Sequence, residues 1–190
     1  MPQDDPDLPL VLQLQSGDDQ ALDELMARHQ QRIHRFIWRY FPNEHDALEL
    51  AQETFVRAYF NIHKFNPRAL FSTWLFSIAL NLCRDRSRSR AHKLAQRSES
   101  LSPGANGEVT IELSSHEKNP TEILEQNEKM RALEQAVADL PPELKEPFIL
   151  SVLEGDSHRD CAAKLGLSEK AVEMKIYRAR KILAEKIADF

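Results

Sequence analysis

Seven histidines and two cysteines are the side chains here best suited to metal or nucleophilic chemistry, and their spacing supports neither. His29, His34, His45, His63, His92, His116 and His158 form no HExxH motif and no paired i,i+4 ligand set; His29 and His34 stand five apart. Cys83 and Cys161 are distant in sequence and lack metal-ligand neighbours, so both read as reduced packing thiols. No phosphate loop, nucleophile elbow or cysteine cluster occurs. The expectation is a protein with no catalytic residues, no metal and no cofactor. What remains is the chemistry of charge. The stretch Phe71 to Arg90 begins with Trp74, Leu75, Ile78, Ala79 and Leu82 at helical spacing and ends with Arg84, Arg86, Arg88 and Arg90, interrupted only by Asp85. A helix packed at one end and cationic at the other suits a polyanion; a bundle helix with a solvated tail fits the same pattern.

Composition bounds the frame for that helix. The chain has 190 residues, 42% hydrophobic and 29% charged, with five glycines, which suits a helical protein. No apolar run reaches the roughly 20 residues needed to cross a bilayer. The start, MPQDDPDLPL, lacks the basic-then-apolar pattern of a signal peptide, so a cytoplasmic protein without membrane insertion is expected. Net charge is −5, yet its distribution matters more. Residues 84–97 carry six Lys/Arg against one acid; residues 99–154 carry twelve acids against four Lys/Arg; residues 170–186 again carry six Lys/Arg against two acids. Two basic patches flank an acidic middle.

The elements that must position these charges follow from periodicity. Residues 1–7 are Pro- and Asp-rich and read as disordered. A short helix spans Leu8 to Gln15. Asp18 or Asp19 caps a long helix with the stripe Leu22, Leu25, Met26, His29, Ile33, Phe36, Ile37 and Tyr40, ended by Pro42. Asn43 caps the next helix, whose buried stripe is read as Leu48, Ala51, Phe55, Ala58, Tyr59 and Ile62. Asp46, Glu49, Gln52, Glu53 and Arg57 lie off that stripe and form a polar face. The loop Lys64–Leu70 is broken by Asn66-Pro67. Residues 94–120 read as a linker, with one short apolar run at Val109–Leu113.

Helical patterning resumes at Thr121, breaks at Leu140-Pro141-Pro142 and continues through Phe148 to Gly155, with Pro147 expected to start or kink that helix. Ser157 and Ser168 are placed to cap two helices joined at Gly166, with Ala162 at their crossing and Val172 packing back. This is the helix-turn-helix pattern, whose second helix enters the DNA major groove; an ordinary helical hairpin gives the same signature. Ser168, Lys170, Glu173, Met174, Lys175, Tyr177, Arg178 and Lys181 line its outer side.

Taken together, these stretches resemble the sigma-70 superfamily, in its extracytoplasmic-function class, over nearly the whole chain. Asp46-Ala-Leu-Glu-Leu-Ala-Gln-Glu-Thr-Phe55 is similar to the family's region 2.2, Phe71 to Asn81 to regions 2.3–2.4, and Ser157 to Arg180 to region 4.2. The resemblance implies an all-α fold of two small helical domains, a sigma-2 bundle at 8–93 and a sigma-4 helix-turn-helix at 121–188, joined by a flexible linker at 94–120. It implies a non-enzymatic subunit that directs promoter-specific transcription initiation. Its partners would be core RNA polymerase (the β′ clamp helices and β flap), promoter DNA and an anti-sigma factor. Asp46, Glu49, Leu50, Gln52, Glu53 and Val56 would bind polymerase. Lys64, Phe65, Asn66, Arg68, Phe71, Asn81, Arg84, Arg86, Arg88 and Arg90 would bind the −10 element, with Phe65, Phe71 and Phe76 as stacking candidates and Trp74 in the core. The outer side of the last helix would read the −35 element, with Glu173 either accepting from cytosine or pairing with Lys170 or Lys175.

The linker tests this geometry. About 27 residues span ~90 Å fully extended but about 30 Å as a free coil, against roughly 70 Å between promoter elements two turns apart. It bridges them only when drawn out by a partner. Glu173, Cys161, His158 and Pro147 depart from the family's usual residues and leave the promoter sequence open. The competing readings are an autonomous helix-turn-helix repressor or activator, for which no dimer seam or palindrome signal is evident, and an enzyme, for which no metal-ligand set, phosphate loop, nucleophile elbow or cysteine cluster is evident.

Overall fold

The computed structural model describes residues 5–98 and 132–188, and every regular element among them is helical. The first unit comprises α1 (Leu8–Gln15), α2 (Gln20–Tyr40), α3 (Glu44–Asn61), a 3₁₀ turn at Ile62–Lys64 and α4 (Phe71–Ser98). The second comprises α5 (described over 132–138), α6 (Pro142–Phe148), a π turn at Ile149–Leu153, α7 (His158–Leu165) and α8 (Glu169–Ala188). Helix α4 runs five residues past the expected boundary at 93, and the Val109–Leu113 run and the helix start at Thr121 lie outside the described residues.

Local chemistry sets the element ends. Phe41 turns extended (φ −132°, ψ 101°) before Pro42, whose ring disfavours a helical predecessor. Asn43 then caps α3, its Oδ1 accepting the Asp46 N–H at 3.0 Å. Asp18, rather than Asp19, covers the start of α2 by accepting the Gln20 N–H. In the second unit Ser157 and Ser168 accept the N–H groups of Asp160 and Ala171, and Gly166 sits in the left-handed region at φ 66°.

Leu25, Ile33, Phe36 and Ile37 of α2 share one core with Ala47, Leu50 and Phe55 of α3 and with Leu75, Phe76 and Ala79 of α4. This corrects the reading of α3. Leu48 is 53% exposed and Leu50 takes its place inside, because the buried face is centred one residue round from the expected stripe. Asp46, assigned to the polar outer face, is buried. Trp74 sits half-buried at the rim of the core rather than within it.

Residues 5–7 are also part of the fold, against the expectation of disorder. Asp5 Oδ2 accepts the Phe71 N–H at 2.7 Å, and Asp7 pairs with Arg28 and with His29, whose ring meets Phe71 edge-on. These carboxylates find partners across the chain that local sequence does not display. Pro147 neither starts nor ends its helix. α6 passes through it and widens into the π turn, where Glu154 N–H reaches back five residues to the Ile149 carbonyl. Val172 is fully buried and Ala162 nearly so, fixing α7 against α8 as a helix-turn-helix.

Candidate nucleic-acid and polymerase interfaces

Three surfaces carry the expected functional residues. The first is the outer face of α3. Leu48, Gln52, Val56 and Phe60 recur every fourth residue and all point outward, with Phe60 75% exposed. Glu49 and Glu53 border this ridge; Glu53 holds Arg57 at 2.8 Å. Of the six residues expected to bind polymerase, Glu49, Gln52, Glu53 and Val56 share this face or its edge. Leu50 belongs to the core, and Asp46 turns inward to Arg86 (3.0 Å) and Arg90. Sequence reading missed Leu48 and Phe60, though their spacing with Val56 was legible.

The second surface is the loop before α4 with that helix's outer side. Asn66 builds the loop from within, its Oδ1 accepting the Arg68 N–H and its carbonyl the Ala69 N–H. Gln15 Nε2 donates to the Ile62 carbonyl at 2.8 Å at one end of this segment, and Asp5 holds Phe71 at the other. Lys64 and Arg68 are exposed, Lys64 bonding Asn61, and Asn81 is exposed ten residues into α4. The aromatic candidates lie elsewhere. Phe65 and Phe71 are buried and packed against each other and Trp74, and Phe76 is buried against Phe36. As placed here, none offers a face to a base. This part of the reading is corrected: apolar contact within the bundle claims these rings first.

The four α4 arginines are divided among partners. Arg86 bridges Asp46 and Glu49, Arg90 holds Asp46 and lies 5.0 Å over the Phe41 ring, and exposed Arg88 pairs with Asp85. Arg84 instead reaches the second unit, bonding both oxygens of Glu146 at 2.8 and 2.6 Å. That bidentate bond holds its guanidinium above the ordinary range.

The third surface is the outer side of α8. Lys170, Glu173, Met174, Tyr177, Arg178 and Lys181 are exposed, Tyr177 by 67%. Glu173 forms no ion pair among the described residues, so of its two expected roles the pairing with Lys170 or Lys175 is not made. Lys175 turns toward a cleft of about 380 Å³ that it shares with Tyr40, Arg84, Arg88, Glu143 and Glu146. Burial pushes the Tyr40 hydroxyl well up, with Glu146 adding to it, and that hydroxyl has no hydrogen-bond partner among the described residues.

The two units meet in a charged seam that sequence reading missed. Arg32 pairs with Asp156, which also takes Lys164 at 2.6 Å; Arg39 and Arg35 pair with Glu154; Lys145 lies 4.7 Å over the Tyr40 ring and Lys164 4.3 Å over Phe76. Burial lowers both lysines, Asp156 opposing the effect at Lys164. The 4, 3, 4 spacing of Arg28, Arg32, Arg35 and Arg39 was the available signal.

Among the described residues no group of histidine, cysteine and acidic side chains could hold a metal, and no helix is long and apolar enough to cross a membrane.

Residues 25–93 match the family described as Sigma-70 region 2, and residues 130–183 match Sigma-70, region 4. The chain is 33% identical to the ECF RNA polymerase sigma factor SigE of Mycolicibacterium smegmatis over 176 residues, covering 91% of this chain and 65% of that relative. It is 29% identical to the ECF RNA polymerase sigma-E factor of Haemophilus influenzae over 181 residues, 95% of each. Among solved structures it resembles CnrH, determined in complex with the cytosolic domain of CnrY, at a TM-score of 0.70 and 27% identity over 97% of this chain and 99% of that one. It shares the fold of the sigma factor RpoE of Bartonella quintana, solved with the anti-sigma factor NepR, at a TM-score of 0.65 and 20% identity over 87% and 96%.

Proposed function

The chain belongs to the sigma-70 family, in its extracytoplasmic-function class, and from that premise we propose how its surfaces divide the work of promoter recognition. A sigma factor of this class directs transcription and is not an enzyme. The outer face of α3 docks core polymerase, the Lys64–Leu70 loop and α4 hold the −10 element, and α8 reads the −35 element. The observation that carries this reading is the apolar ridge Leu48–Val56–Phe60, edged by Glu49 and Glu53, on a helix otherwise packed into its own core. An exposed apolar stripe on a charged helix marks a surface that another protein covers. In the family that partner is the β′ clamp helices, with the β flap receiving the second unit.

At the −10 element, Asn81 has both a donor and acceptors for a base edge, and Lys64, Arg68 and Arg88 face phosphates. The buried rings of Phe65 and Phe71 support the loop that receives a base rather than stacking on it. At the −35 element, Lys170, Tyr177, Arg178 and Lys181 are exposed on α8, and Glu173, without an ion pair among the described residues, is available to accept from cytosine N4. The CnrH complex with the cytosolic domain of a second protein supports a regulatory protein partner here, which the family resemblance identifies as an anti-sigma factor.

Run-off transcription with core polymerase on a random promoter library tests the assignment. The expected result is start sites set by one pair of elements, and Q52A or V56E lowering core affinity while leaving the circular dichroism melt unchanged. Tight promoter binding by the isolated protein, with indifference to core enzyme, would refute it in favour of an autonomous regulator.

A further inference from the structure

Among the described residues, the arginines of the seam come from the first unit and the carboxylates from the second. Arg32, Arg35 and Arg39 lie on one face of α2, and Arg84 joins them from α4. Their partners are Asp156, Glu154 and Glu146, whose side chains are only 5%, 2% and 6% exposed. Helix α2 supplies no compensating charge of its own there, since from Leu25 to Asn43 the chain contains no Asp or Glu. The arginines keep 32–54% of their side-chain surface open to water even when paired, whereas the carboxylates do not. When the two units separate to span a promoter, four guanidiniums lose the acids that face them among the described residues. Arginine rather than lysine throughout favours planar, bidentate partners such as carboxylate or phosphate.

We propose that Arg32, Arg35 and Arg39 form a phosphate-binding surface for the nucleic-acid backbone, continuous with Arg84, which the second unit's carboxylates cover in the closed form. The inference rests on the reading of α4 as a DNA-facing helix, because Arg84 belongs to both surfaces. Glu146, Glu154 and Asp156 thereby occupy sites that phosphates take after opening, and the two states compete for the same cations. The phosphate surface extends along α2, beyond the stretch of α4 whose sequence suggested it. The other occupant this row could accept is an acidic protein segment, and the experiment separates the two.

Full-length protein is titrated into a fluorescein-labelled 30-base-pair duplex by anisotropy over a series of salt concentrations, with small-angle scattering reporting compactness. E146Q/E154Q removes the covering charge. It should expand the particle, tighten duplex binding by about tenfold or more and steepen the salt slope by about 3, at roughly 0.9 per added phosphate. R32Q/R39Q should expand the particle as well, yet bind no tighter than wild type. Should the double acid variant fail to fold by circular dichroism, the single substitutions E146Q and E154Q carry the test, each expected to shift binding in the same direction. Equal duplex affinity for acid-side and base-side variants, or an unchanged slope in E146Q/E154Q, overturns the proposal, and in that case the row serves only protein partners. N81A/R88Q, which leaves the seam arginines intact, separates the premise from the inference. Loss of binding in N81A/R88Q, without loss on adding R32Q/R39Q to the acid-side variant, leaves α4 as the DNA helix and removes α2. Loss in neither removes both.

Discussion

Replacing Asp46 with alanine should destabilise the first unit by about 2–4 kcal/mol, although this residue stands in a helix whose neighbours are proposed to dock polymerase. Its side chain is 10% exposed and accepts from Arg86 at 3.0 Å and from Arg90. A hydrogen bond to a charged group is worth roughly 1.5–3 kcal/mol. The two arginines are 29% and 50% exposed and regain water when released, so about half of that sum is the fitting figure. Asp46 also lies in the first turn of α3, where a negative charge adds about 0.3–1 kcal/mol. Urea denaturation followed by far-UV circular dichroism reads the stability, and anisotropy with labelled protein reads affinity for core polymerase. Q52A is the contrast: it should leave stability within about 0.5 kcal/mol and weaken core binding. A D46A protein as stable as wild type but defective in core binding would refute the assignment of Asp46 to the α3–α4 junction. It would return that residue to the docking surface.

Other substitutions probe the second unit and its buried thiol. G166A should cost about 1–2 kcal/mol in urea melts through backbone strain alone, because φ is +66° and an added Cβ would meet nothing within 4 Å. Tyr177→Ala should leave the melt within about 0.5 kcal/mol of wild type while abolishing protection at the −35 element in footprints with core enzyme. Burial pushes the Cys161 thiol up to about 11, with Asp156 contributing. The unfolded thiol releases its proton first, so this contribution is intact below about pH 9 and declines as pH rises toward 11. Lys164, lowered by burial, acts with the opposite sign, so the readout is the difference in Tm between wild type and C161A across that range.

Caps and turns were legible because each depends on residues a few positions apart: Asn43, Ser157, Ser168 and Gly166 stand where their side chains or conformations were expected. The identity of the helices was legible for the same reason. The rotation of α3 was not, because Leu48 and Leu50 are equally apolar and only packing against α2 and α4 decides which turns inward. Asp46 shows a related failure. A carboxylate reads as surface until arginines forty residues away bury it. The seam lies further still from local rules, since Arg32 and Asp156 are 124 residues apart and only their meeting gives either a role. The aromatic rings were misplaced because Phe65 and Phe71 fit a stacking site and a core equally well by composition.

The clasps at Gln15–Ile62 and Asp5–Phe71 bear on the cost of the DNA capture proposed for the loop between them. They pin both ends of the segment that contains the Lys64–Leu70 loop, and Asn66 braces its middle. Ordering a free backbone costs about 1–2 kcal/mol per residue. A loop of this length left slack would spend several kcal/mol of promoter contact on its own organisation before any base was recognised. In its proposed −10 role the loop, held at both ends by the N-terminal segment, meets DNA with that entropy already surrendered during folding. On that proposal residues 5–15 act on promoter affinity through the loop, and removing them should slacken recognition from a distance.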